Sequence, residues 1–385
     1  MATNKEENDK RIHPIDRFEI IRELGRGGTS IVYLVRSKES GRRYAMKTLK
    51  PDLSEAASAD ALGDAGGVAG TDASEDAGTE FGMIAAELLQ AEAEILKELN
   101  KGQTDVAGNR KPGASGGRNP GASGGRNPGA SDSAKSGSPD GGKHGAQRSA
   151  KPGTPGTAHP GIPAYYGEVY RGDSFAGFLM EYVEGESLQK LLSGGRVFSV
   201  SEAAEMGVRL CGILARLHEM EPPRIYRDLK PGNVLVKGDG SCVLVDYGAV
   251  RSYRKGASQD THPLGTEGYA APEQYGGWEQ SDPRTDVYGI GAVLHHMLAG
   301  RAPVETGLRP LAEIRTGENA ARVRQYYAMD KILLRACSIV PSMRYPSCRE
   351  LGNALGKLCR EQTELPVGRG LRLIFGKSVD RENAR

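Results

Sequence analysis

The sequence predicts an α+β chain built in two parts, β-rich first and α-rich second. Three observations predict it. Short β-branched and aromatic runs surround a glycine cluster near the start. Helical spacing takes over after residue 187. Two stretches poor in apolar residues interrupt the pattern and read as insertions in one folded unit.

Residues 1–16 read as a polar tail. Phe18 and Ile20, then Ile31 to Val35, then Tyr44-Ala45-Met46-Lys47 read as strand, turn, strand, strand. Residues 51–79, rich in Ala, Gly, Asp and Ser, predict a flexible loop. Residues 80–100 carry apolar side chains at Ile84, Leu88, Ala91, Ile95 and Leu99, a helical spacing. Residues 101–158 are low in complexity, with an eight-residue repeat starting at Arg110, Arg118 and Arg126 (RKPGASGG, RNPGASGG, RNPGAS). That period is too short for a solenoid and offers nothing to build a core, so the segment predicts disorder. A tolerated surface insertion is the plainer reading, and a docking arm or phosphoacceptor region the alternative. Order returns at His159-Pro160-Gly161-Ile162-Pro163, with strands over 164–170 and 175–183 and helices over 187–193, 201–220, 285–299 and 328–338. Residues 362–385 form a basic, partly apolar tail (GRGLRLIFGKS) without an assignment.

Composition narrows the function classes. The 385 residues hold 51 Lys and Arg against 49 Asp and Glu, a balance that does not point to nucleic acid or a membrane surface. Hydrophobic content is 38% with 53 glycines, which fits a folded part diluted by disordered sequence. Cys211, Cys242, Cys337, Cys348 and Cys359 form no CxxC pair, so reduced thiols in the cytoplasm are expected. The start, MATNKEENDKR, is too polar for a signal peptide. No run of about 18 apolar residues exists, so neither a transmembrane helix nor a membrane anchor is expected.

The chemistry concentrates in Tyr226-Arg227-Asp228-Leu229-Lys230-Pro231-Gly232-Asn233. A carboxylate, a cation and an amide oxygen at fixed offsets suit phosphoryl transfer: one takes the proton of an incoming hydroxyl, one faces phosphate, one holds a metal. The octapeptide resembles the catalytic loop of eukaryotic-type protein kinases, H-R-D-x-x-x-x-N, with Tyr226 in the place of His. Its companions follow in family order. Leu24-Gly25-Arg26-Gly27-Gly28-Thr29-Ser30-Ile31-Val32 resembles the glycine-rich loop, with Ser30 for the third glycine. A strand follows it where a dinucleotide-binding fingerprint needs a helix, which rejects that alternative. Tyr-Ala-Met-Lys47 resembles V-A-I-K, and Asp246-Tyr247-Gly248 resembles D-F-G with Tyr for Phe. Gly265-Thr266-Glu267-Gly268-Tyr269-Ala270-Ala271-Pro272-Glu273 resembles G-T-x-x-Y-x-A-P-E. Any one of these alone is weak. A lone Lys47 is a surface lysine, and a lone Asp228 or Asp246 is a turn residue or helix cap.

Together they resemble the eukaryotic-like (Hanks-type) bacterial serine/threonine protein kinases over roughly residues 17–361, interrupted by 51–79 and 101–158. The resemblance implies a bilobal fold, with an antiparallel-sheet N-lobe carrying one helix and a mainly helical C-lobe. It implies ATP and Mg²⁺, with protein Ser or Thr hydroxyls as acceptors. By the family register Asp228 and Lys230 serve catalysis with Lys47 and its helix partner. Glu87, Glu92, Glu94 and Glu98 compete for that place; the register selects Glu92, with Glu94 next. Gly25, Gly27, Gly28, Ser30, Val32, Ala45 and Lys47 line the nucleotide, with Met180 as gatekeeper and the Glu181 and Val183 backbone at adenine. Asn233 and Asp246 hold Mg²⁺. Arg344 pairs with Glu273, and Asp286 braces the catalytic loop. Arg227 implies control by activation-segment phosphorylation, with Ser252, Ser258 and Thr261 as candidates and the latter two preferred. Thr266 is the less suitable regulatory site if it packs on Asp228. A pseudokinase and a small-molecule kinase on the same fold are the alternatives. Retention of Lys47, Asp228, Asn233 and Asp246 argues against the first, and the 265–273 platform argues against the second.

Overall fold

The computed structural model describes residues 12–53, 73–101, 160–253, 265–276 and 280–363. The repeat, Ser258, Thr261 and the tail beyond Thr363 lie outside the described residues. Eleven strands are described: β1 Ile12–Pro14, β2 Phe18–Arg26, β3 Ser30–Ser37, β4 Arg43–Leu49, β5 Tyr165–Arg171, β6 Ser174–Glu181, β7 Glu186–Ser187, β8 Arg224–Ile225, β9 Val234–Val236, β10 Cys242–Leu244 and β11 Arg251–Ser252. The α-helices are α1 Ala73–Asn100, α2 Leu188–Ser193, α3 Val200–His218, α4 Pro272–Gly276, α5 Pro283–Ala299, α6 Pro303–Thr306, α7 Leu311–Ile314, α8 Ala320–Ala336 and α9 Cys348–Thr363.

The first part is a six-stranded sheet in the order β1-β5-β6-β4-β3-β2. It is antiparallel except at β1, which pairs in parallel with β5. Residues 12–17 therefore belong to the fold as strand and 3-10 turn, and the polar tail expected to reach residue 16 ends sooner. Alternation along β4 sends Ala45, Lys47 and Leu49 to one face and Met46 to the other. The second face is closed by Val35, Met46, Val169 and Leu179 under Phe18, Tyr33, Tyr44 and Tyr166. Register aligns Val32 with Lys47 and Lys47 with Phe178, and beside them Ala45 with Met180. The strands come close at Gly177, where a Cβ would stand 2.0 Å from the Lys47 carbonyl oxygen, so only glycine lets β6 lie against β4 there.

Helix α1 covers the Lys47 face. It starts at Ala73, so the predicted loop over 51–79 is shorter than its composition suggests. Its buried side is Ala85, Leu89, Glu92, Ala93 and Leu96, while Ile84 and Leu88 are exposed. The apolar spacing identifies the helix but does not set its rotation. The ion pair described below demands that Glu92 point inward, and this turns the Ile84–Leu88 stripe outward.

In the second part α5 is the axis, buried from Thr285 to Ala299. Asp282 caps its start by accepting from the Arg284 N–H, Pro283 opens its first turn, and Gly300 ends it in the left-handed region at φ 70°. Helices α3, α8 and α9 pack around it through one continuous core. Helix α8 begins at Ala320, ahead of the predicted 328, because Asn319 caps that earlier turn. Helix α9 was not predicted, and it extends to Thr363. No helix among the described residues is long and apolar enough to cross a membrane.

Candidate active site

The glycine cluster forms the β2–β3 hairpin, closed by the Gly27 N–H donating to the Ser30 carbonyl at 2.8 Å. A Cβ at Gly25 or Gly28 would meet no atom within 4 Å, so the space above the hairpin is open. Ser30 itself is buried at the start of β3, opposite Leu49. Val32 pairs with Gly25 on one side and Lys47 on the other.

Lys47 Nζ donates to both Glu92 oxygens at 2.8 and 2.7 Å and to Asp246 Oδ1 at 2.9 Å. Glu92 also accepts from the Tyr247 N–H at 3.0 Å. One buried ammonium thus joins β4, α1 and the segment after β10. Burial works against the Lys47 charge, but Glu92 and Asp246 outweigh it and hold the ammonium above its ordinary value. Burial also opposes the Asp246 charge, and Lys47 overcomes it, so that carboxyl sits below its ordinary value. The other glutamates of α1 go elsewhere: Glu87 and Glu94 are exposed, and Glu98 pairs with Arg224.

Met180 and Val183 are buried where β6 leaves the sheet. The Glu181 N–H donates to the Ala164 carbonyl at 2.8 Å, so that donor is already engaged.

The catalytic-loop residues run from β8 to β9. Asp228 accepts from Thr266 Oγ1 at 3.0 Å on one carboxylate oxygen, and from Lys230 Nζ at 2.7 Å and Asn233 Nδ2 at 3.1 Å on the other. Asn233 Nδ2 also donates to the Asp228 carbonyl at 2.9 Å, closing the loop on itself. The Val245 N–H donates to the Asn233 carbonyl at 2.9 Å, which sets Asn233 beside the segment of Asp246. Arg227 and Asp246 hold left-handed φ angles of 72° and 68°. Such strain in non-glycine residues persists only where the surroundings impose it. For Arg227 the agent is Asp286 at the start of α5, which accepts from the N–H groups of Tyr226 at 2.9 Å and Arg227 at 2.8 Å. The Arg227 side chain is buried.

Several contributors escaped the sequence reading. His218, at the end of α3, lies 2.7 Å from Asp286. Gln274 donates to the Arg227 carbonyl at 2.8 Å and accepts from the Ala271 N–H at 2.9 Å, tying the platform to the catalytic loop. The Tyr226 hydroxyl donates to the Val245 carbonyl at 2.5 Å, and its ring meets Tyr247 edge-on with centroids 5.7 Å apart. Gln274 directly follows the Glu273 motif, the one signal that could have pointed to it. Arg344, the partner the resemblance implies for Glu273, grips it through both terminal guanidinium nitrogens at 2.7 and 2.8 Å, and Thr285, which the sequence did not single out, donates to the same carboxylate at 2.9 Å.

The sequence profile described as "Protein kinase domain" matches residues 155–347, half of the chain. The chain belongs to the protein kinase family. The matched span holds the catalytic loop, Asp246 and the 265–273 platform; the glycine hairpin, Lys47 and α1 precede it. Among curated relatives, a probable serine/threonine-protein kinase, PknB, of Corynebacterium glutamicum is 30% identical over half of this chain and 32% of its own length. A probable serine/threonine-protein kinase of Streptomyces coelicolor is 33% identical over 45% of this chain and 27% of its own. The serine/threonine-protein kinase PknB of Mycobacterium leprae is 27% identical over 45% of this chain and 29% of its own. The kinase chain thus spans about a third of the length of the relatives it matches. As a bilobal α+β kinase, it carries its candidate site where the sheet and α1 meet the catalytic loop.

Proposed function

We propose that this kinase transfers the γ-phosphoryl group of ATP to serine or threonine hydroxyls of proteins. The observation that carries this reading is the convergence of Thr266, Lys230 and Asn233 on the single carboxylate of Asp228. The incoming hydroxyl oxygen bonds to the γ-phosphorus, the bond to the bridging oxygen breaks, and ADP leaves. Asp228 orients the hydroxyl and takes its proton. Lys230 neutralises charge on the transferred group. Lys47, fixed by Glu92, faces the nucleotide phosphates, and the hairpin of Gly25, Gly27 and Gly28 offers open backbone above them. Ala45 and Met180, paired across β4 and β6, stand by the adenine, with Glu181 limited to its carbonyl and Val183 beyond it.

Asn233 and Asp246 supply hard oxygen donors, and the Asp246 side chain, 45% exposed, is open to the cleft. One carboxylate and one amide suit Mg²⁺, which completes its shell with phosphates and water. Bound there, the ion would neutralise charge on the β- and γ-phosphates. Among the described residues no group of three or more His, Cys, Asp or Glu forms an all-protein metal cluster.

Autophosphorylation of the activation segment at Ser258 or Thr261 belongs to the same proposal, with Arg227 as the phosphate's partner. Thr266 is committed to Asp228 and is not that acceptor. The five free cysteines fit a reducing cytoplasm. The test is transfer of labelled phosphate from Mg-ATP by the chain and by Asp228→Asn, to itself and to a basic protein. Phosphoserine or phosphothreonine from the intact chain alone supports the reading. ATP binding without transfer overturns it in favour of a pseudokinase. Phosphopeptide mapping of active protein that finds Ser258 and Thr261 unmodified removes the autophosphorylation step.

A further inference from the structure

Arg224, in β8 just before the catalytic loop, makes two contacts that the mechanism above does not use. Its guanidinium donates to Glu98 Oε2 of α1 at 2.8 Å. It also donates to the Ser252 hydroxyl of β11. Register places Ser252 directly opposite Arg224 in the two-residue β8–β11 ladder. The Arg224 Nε is buried and has no partner among the described residues. Three segments therefore meet at one cation: the helix that carries Glu92, the strand that leads to Asp228, and the strand that follows Asp246.

We infer that Ser252 is a phosphorylation site, and that its phosphate draws Arg224 away from Glu98 and loosens α1. The inference rests on the kinase reading, since its cost falls on the Lys47–Glu92 pair. The modification forms an Oγ–phosphorus bond at Ser252, breaks the γ-phosphoryl bond of ATP, releases ADP and passes the hydroxyl proton to a base. A phosphoserine brings about two negative charges and three acceptor oxygens. Arginine binds phosphate through a planar fork, and the tine beside the Nη1 that meets Ser252 is Nη2, the nitrogen that Glu98 now holds. Glu98 is left facing a phosphate of its own sign, and with its side chain 38% exposed it turns to solvent.

The consequence follows from how α1 is held. Glu98 to Arg224 and Glu92 to the Tyr247 N–H both tie the helix to the second part of the molecule. Lys97 near Glu168 and Asn100 on Pro163 tie the same end to β5 and its approach. Losing the Arg224 tie leaves the helix on the sheet but frees it from the catalytic-loop strand. Glu92 lies six residues, about 9 Å of helix, from Glu98. Access to Ser252 needs only a short opening: the ladder is two residues long, the serine is half-buried, and Tyr253 N–H to Pro223 at 2.7 Å is the next bond.

The experiment installs phosphoserine at position 252 of the full chain by codon reassignment. Hydrogen exchange without nucleotide is read over residues 84–100, with α5 as the internal control, alongside kcat/KM on a peptide. The expected result is faster exchange over 84–100 with α5 unchanged, and a loss of about tenfold in kcat/KM. Glu98→Gln, which already lacks the Arg224 ion pair, leaves the phosphate nothing further to break and so abolishes both of its added effects, and Ser252→Ala retains the activity of the unmodified chain. Unchanged exchange over 84–100 overturns the proposal, as does an effect of equal size in Glu98→Gln, which would mark mere disruption of the ladder. If the unmodified chain transfers no phosphate, the kinase reading fails, while the exchange measurement still decides the Arg224 switch.

Discussion

At Asp228 three donors converge on one carboxylate, and the loop that carries it is held at Tyr226 and Arg227 by a single buried aspartate, Asp286. Replacing Asp228 with Asn should lower kcat by roughly 10²–10⁴, the usual worth of a positioned acid–base group, read by labelled phosphate transfer. Tyr226 has a different task. In sequence it stands out only as a departure from the family's His. In the fold its hydroxyl reaches the Val245 carbonyl, 19 residues away, beside Asp246. Burial first, then the Asp246 charge, hold the phenol far above its ordinary pKa, so it acts as a neutral donor. Tyr226→Phe should leave that carbonyl without its donor and cost about 1–3 kcal/mol in urea unfolding.

Among the elements, α1 shows what periodicity can and cannot say. Ile84, Leu88 and Ala91 have helical spacing, yet Ala85, Leu89, Ala93 and Leu96 form the packed side. Both stripes are apolar, so hydrophobicity leaves the phase undecided; the Lys47–Glu92 pair decides it. Leu89→Ala should then cost about 2–5 kcal/mol, and Leu88→Ala should stay within about 0.5 kcal/mol. Thermal or urea unfolding of the two variants gives the comparison. The Glu273–Arg344 clasp joins α4 to the turn before α9, with the Arg344 side chain fully buried. Glu273→Ala strands that charge and should cost about 3–5 kcal/mol, whereas replacing both residues with Met should recover much of the loss. The partners lie 71 residues apart. Only the family pattern, and no local spacing, suggested the pair.

For the whole molecule, the long insertion is a question of chain closure. Asn100, ahead of it, donates to the carbonyl of Pro163 behind it at 3.2 Å, so the flanks already meet. A short linker can close that gap, and loop-closure entropy changes slowly with length. Deleting 105–155 should leave Tm and ATP binding unchanged, and a large fall in Tm would assign the segment a structural part. The same insertion separates the glycine hairpin, Lys47 and α1 from the span that matches the kinase profile. The order and spacing of the motifs around Lys47, Asp228, Asn233, Asp246 and Glu273 determined the resemblance to the protein kinases, and the resemblance implied the bilobal α+β class; the motifs were legible because each is local, its offsets placing side chains along a few residues of backbone. Tertiary structure alone decided the rotation of α1, the parallel seat of β1 on β5, and the meeting of Glu98 and Ser252 at Arg224. Those depend on how separate elements dock, and docking is set by burial and charge pairing between residues that sequence spacing does not relate.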